Sequence, residues 1–86
     1  MTINLINPKY RGVILLATPH NNANAAVYIL GVDVSNSNVS INYVGGTSGY
    51  TPSVSYNNNA ITLTFTGVPW GVGFITSSLG DFTISF

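Results

Sequence analysis

The sequence predicts an all-β chain, an antiparallel β-sandwich of about eight short strands with no substantial helix. Three observations carry that expectation. Good helix formers are scarce: glutamate and glutamine are absent, lysine and arginine occur once each, and no segment repeats apolar residues at the i, i+3, i+4, i+7 spacing of an amphipathic helix. Apolar and polar residues instead alternate with period two, which gives a strand one dry and one wet face. Clusters of Asn, Gly, Ser and Pro interrupt the alternation every 8 to 12 residues or so, the spacing of sandwiches and barrels. Two packed, jelly-roll-like sheets are expected.

Ile3 and Leu5 around Asn4 mark a first strand. Val13 to Ala17 and Ala26 to Val34 are more continuously apolar, as expected of central strands covered on both faces. Val39, Ile41 and Tyr43 alternate with Ser40 and Asn42; Val54 and Tyr56 flank Ser55; Ile61, Leu63 and Phe65 alternate with Thr62, Thr64 and Thr66. Trp70, Val72 and Phe74 alternate with Gly71 and Gly73. Phe82, Ile84 and Phe86 close the series around Thr83 and Ser85, and a final strand in phase with the core is expected to be tied down at its end. Residues 19–24, 35–38, 45–49, 57–59, 66–69 and 77–80 read as turns, because Asn and Gly tolerate left-handed backbone. Pro8, Pro19, Pro52 and Pro69 fall at strand edges or in connections, where a missing N–H costs no ladder bond.

A length of 86 residues is one domain, spanning 1–86, near the size where folding buries only about 60–65% of the unfolded chain's surface. Small domains compensate with disulfides, metals or association, and this chain has no cysteine and one histidine. Self-association is therefore expected. Its only charged side chains are Lys9, Arg11, Asp33 and Asp81, whereas Asn, Ser and Thr fill 29 positions. Two cations give no basic patch, so nucleic acid is not an expected partner. Apolar runs such as Val13 to Ala17 are far short of the roughly 20 residues of a membrane helix. No export signal is visible after Met1, so synthesis in the cytoplasm is expected.

The same scarcity argues against chemistry. A serine nucleophile would need His20 with Asp33 or Asp81, and Gly46-Thr47-Ser48-Gly49-Tyr50 places its second glycine one residue too early for a nucleophile elbow. One histidine and two separated aspartates form no metal-ligand spacing, so neither metal nor cofactor is expected and the chain is read as no enzyme. Neutral ligands suit it better, since sugars are held by aromatic faces together with amide and hydroxyl hydrogen bonds. Tyr50 beside Gly45 to Gly49, Asn57, Asn58 and Asn59 at a hairpin tip, and His20 in an asparagine-rich connection are the candidate ligand-binding residues. Trp70, Gly71 and Gly73 are candidate subunit-interface residues, because glycines on one strand face admit a close neighbour.

The stretch Arg11-Gly-Val-Ile-Leu-Leu16, the Asn-rich turn after it, Ala26-Val-Tyr-Ile-Leu-Gly31 and the closing Asp81-Phe-Thr-Ile-Ser-Phe86 resemble the small β-sandwich tip domains of bacteriophage tail fibres. That resemblance implies a homotrimer in the virion, contacting other virion proteins and presenting polar loops to host-surface glycans as a receptor-binding domain. Strand residues follow Met1 almost at once, with no shaft-forming segment, so a separately made tip or small virion protein is expected. A capsid decoration or cement protein is the alternative, and a lectin-like module outside viruses is the second.

Overall fold

Alternation leaves most strands one apolar face, and strands with one dry face bury it by packing as two sheets face to face. The computed structural model describes residues 1–19, 25–46, 52–65 and 72–86, and among them every regular element is a strand. In chain order these are β1 (Thr2–Leu5), β2 (Arg11–Pro19), β3 (Ala25–Asp33), β4 (Asn38–Gly46), β5 (Ser53–Asn57), β6 (Ala60–Thr64), β7 (Phe74–Ser77) and β8 (Phe82–Ser85). Two four-stranded sheets result, with orders β5-β6-β1-β8 and β4-β3-β2-β7, and every pairing is antiparallel. The expected all-β sandwich is what the chain forms.

Side chains from both sheets meet between them. Ile3, Leu5, Ile61 and Leu63 come from one sheet; Ile14, Leu16, Ala26, Tyr28, Leu30 and Val32 come from the other; Leu79 plugs the gap from the β7–β8 turn. Each fully buried aliphatic side chain contributes about 1.5–3 kcal/mol relative to exposure. The outward positions of the β5-β6-β1-β8 sheet are almost all hydroxyls and amides. Register aligns Ser55, Thr62, Thr2 and Ser85 in one row across its four strands.

Four expectations are corrected. The strand expected around Trp70, Val72 and Phe74 begins only at Phe74; Val72 before it packs on the core as expected, but from Phe74 on the phase is reversed. Ile75 pairs with the inward Leu16 and packs on the core, while Phe74 is 53% exposed. Gly73 forms a bend before β7 and donates its N–H to the Ala17 carbonyl, so it is not part of a glycine face on a strand. The two apolar runs are indeed the central strands β2 and β3, yet no described element covers their outer face, where Val13 is 47% and Ile29 37% exposed. Phe86 lies beyond the last β1–β8 pair, Thr2 with Ser85, and is 83% exposed, so the core phase of the final strand ends at Ile84.

Candidate functional site

Antiparallel pairing sorts the connections between two ends of the sandwich. At one end the chain turns tightly and is knitted by backbone bonds. Leu5 N–H donates to the Asn59 carbonyl, Ile6 to Asp81, Lys9 to Leu79 and Val34 to Tyr10, at 2.8–3.0 Å. Asn58 and Asn59, with φ of 49° and 62°, form the two-residue β5–β6 turn, the left-handed pair such hairpins require. The Tyr56 hydroxyl donates to Asn59 Oδ1 at 3.1 Å, so Asn59 acts as a turn residue. Asn57 pairs with Ala60 at the strand end, and all three asparagines are exposed.

Asp33 belongs to this end as well. Asn36 Nδ2 donates to its Oδ2 at 2.9 Å, Ser35 Oγ donates to Oδ1 at 3.2 Å, and Arg11 Nε stands 4.0 Å away. The Asn36 side chain first, then its backbone amide, Ser35 and Arg11, hold the Asp33 carboxyl below its usual value. A carboxylate kept ionised in this way serves its turn and is poorly suited to donate a proton.

The other end is aromatic. Tyr28 is fully buried on β3, with the Tyr43 ring at 6.0 Å and 63° and the Phe65 ring at 6.4 Å and 64°, both edge-on. Burial, then the neighbouring Tyr43 phenol, pushes the Tyr28 hydroxyl above its usual pKa. The buried Thr18 hydroxyl approaches Tyr28 closely enough to temper that rise, but it lacks hydrogen-bond geometry to any described group. Tyr43 Oη donates to the Gly46 carbonyl at 2.9 Å, where the backbone turns at a φ of 127°. The strand ends leading into residues 20–24, 47–51 and 66–71 all gather here: Pro19 pairs with Ala25, Ala26 with Gly46, Ser53 with Thr64, and Ala17 with Phe74.

The structure thereby divides the residues expected to bind a ligand. Asn57, Asn58 and Asn59 stand at the tightly turned end. His20, Tyr50, Trp70 and Gly71 lie outside the described residues, in segments entered from the aromatic end. Sequence reasoning missed Tyr28, Tyr43 and Phe65 as a cluster. Their alternation was visible, but the pairing of Tyr28 with Tyr43 and the packing of Phe65 from the opposite sheet are long-range facts. No group of three or more His, Cys, Asp or Glu among the described residues could hold a metal ion, and no helix among them is long and apolar enough to cross a membrane. Comparison with known proteins returned no matching family model, no matching curated protein and no matching solved structure.

Proposed function

We propose that this chain is a non-enzymatic attachment domain of a phage particle, a tail-fibre tip or receptor-binding sandwich whose aromatic end faces a neutral, hydroxylated ligand such as a host-surface glycan. One observation carries the reading. The strand ends entering residues 20–24, 47–51 and 66–71 converge above the Tyr28–Tyr43–Phe65 cluster, while connections of two to five residues, against five to nine here, close the opposite end. Long connections held on a rigid sandwich are where β-domains carry binding residues. The sequence puts His20, Tyr50 and Trp70 in those connections, a supply of aromatic faces suited to the apolar sides of sugar rings. An uncharged ligand suits a chain with four charged side chains, because neutral groups form contacts without desolvating ions.

Glycan-array binding of the purified chain tests this reading. Tyr50→Ala is expected to weaken binding at least tenfold, whereas Asn58→Ala at the opposite end leaves it unchanged. Immunogold labelling of purified particles supplies the second arm. Label at the distal tail supports attachment, label over the shell assigns capsid decoration instead, and particles without the protein overturn the virion reading.

A further inference from the structure

We propose that the outer face of the β4-β3-β2-β7 sheet is a self-association surface that receives a second copy of this chain across a two-fold axis. This goes beyond the attachment reading and does not depend on it. Elsewhere the outward strand positions are polar apart from Ala60: Thr2, Asn4, Ser53, Ser55, Asn57, Thr62, Thr64, Thr83 and Ser85 on one sheet, and Asn38, Ser40 and Asn42 on β4. The rule breaks on β2, on β3 and at Phe74 of β7, whose other outward residue is Thr76. Register sends Val13, Leu15, Ala17, Val27, Ile29 and Phe74 outward together. Val44, the extra residue of the β4 bulge opposite Val27, adds a 60% exposed side chain at the rim. Monomers rarely leave an apolar face this continuous in water.

The occupant follows from the pattern of rows. Arg11 stands opposite Asp33, Val13 opposite Gly31, Leu15 opposite Ile29 and Ala17 opposite Val27, all outward. A two-fold axis running along the strands between β2 and β3 lays each residue of a row over its row partner in the other copy, as an isologous interface requires. Arg11 then meets the partner's Asp33, and Val13 lies over the partner's Gly31, a row position without a side chain of its own that the Ser40 hydroxyl borders. Leu15 meets the partner's Ile29. Charge and shape are self-complementary on the same axis. Arg11 and Asp33 are the only charged residues on the face, so two copies approach without like-charge repulsion.

The area fits a weak pair. Three nine-residue strands at about 3.3 Å per residue and about 4.8 Å between strands span a face of about 30 by 14 Å. Two such faces, β4's polar row included, remove about 840 Å² in total from water, the size of a weak, transient pair. Association in the micromolar range is the expectation tested below. The arrangement is a two-fold pair and not the trimer that the sequence resemblance implies.

Sedimentation of the full chain over a range of micromolar concentrations decides the matter. The wild type is expected at twice its chain mass of 9.1 kDa. Ile29→Lys is expected at the single mass with an unchanged far-ultraviolet circular dichroism spectrum. Thr62→Lys, on the outer face of the other sheet, is expected to leave the double mass intact. Should Ile29→Lys fail to fold, Val13→Lys at the more exposed position replaces it with the same expected outcome. A wild type at one or at three chain masses overturns the proposal, as does a double mass that survives the lysine substitutions. Because the readout is mass alone, loss of glycan binding does not affect it.

Discussion

Ser78 holds the backbone of Val13 from both of its polar groups. Its hydroxyl accepts the Val13 N–H at 2.8 Å and lies 3.3 Å from the Val13 carbonyl oxygen, which also receives the Ser78 N–H at 2.9 Å. β7 ends at Ser77, so a side chain here takes over where the backbone ladder to β2 stops. Ser78→Ala is expected to destabilise the fold by about 0.5–1.5 kcal/mol. Amide exchange at Val13 should accelerate selectively, and unchanged protection there would refute the role of this hydroxyl.

The same junction restricts Gly12. A Cβ built there would lie 2.5 Å from Ser78 Oγ and 3.0 Å from Leu79 Cδ2, in the place where the β7–β8 turn presses on β2. Leu79 is fully buried and has little room to retreat. Gly12→Ala is expected to cost about 1–3 kcal/mol through overpacking. Urea unfolding measures this as a lower midpoint at unchanged slope.

Alkaline stability reports on Tyr28. Its folded pKa is raised above the ordinary value of 10.0 by burial and by Tyr43. The unfolded chain therefore loses the phenolic proton first, and the contribution present below pH 10.0 declines as pH rises through the folded pKa. Melting temperatures measured between pH 9 and about 12 should fall more steeply for the wild type than for Tyr28→Phe. Parallel slopes would show that Tyr28 ionises freely in the folded state.

Acid stability reports on Asp33 with the opposite sign. Its folded pKa is lowered from 3.8, chiefly by Asn36, so its contribution is present above pH 3.8 and is lost as pH falls through the folded value. Carboxyl chemical shifts titrated by nuclear magnetic resonance should give Asp33 a midpoint below 3.8. Asn36→Ala should bring that midpoint back up. A midpoint unmoved by Asn36→Ala would assign the shift to another partner.

Much of this architecture was legible because alternation is a local property. Ile61, Leu63 and Phe65 against Thr62 and Thr64 identify a strand and its dry face without any neighbour, and β6 buries Ile61 and Leu63 as that pattern predicts. The segment around Trp70 to Ile75 was harder. Its alternation supports either of two phases over part of its length, and the pairing of Leu16 with Ile75 selects the one that sends Phe74 outward.

The candidate site was less legible for the same reason. Asn57 to Asn59 and Tyr50 looked equivalent as polar loops, because a sequence does not show at which end of a sandwich a loop emerges. Chain direction and sheet order separate them.

Residue order alone dictates that the regular elements of the described residues are strands, that water is met by neutral amides and hydroxyls, and that most strands carry one apolar face, since backbone geometry ties these to period two. Tertiary structure decided which of the two apolar faces of β2 and β3 is buried, which end is aromatic, and that Val13 stands beside Gly31 while Arg11 stands beside Asp33. Those outcomes depend on contacts between residues distant in the chain. Long-range pairing creates them, and no local pattern encodes them.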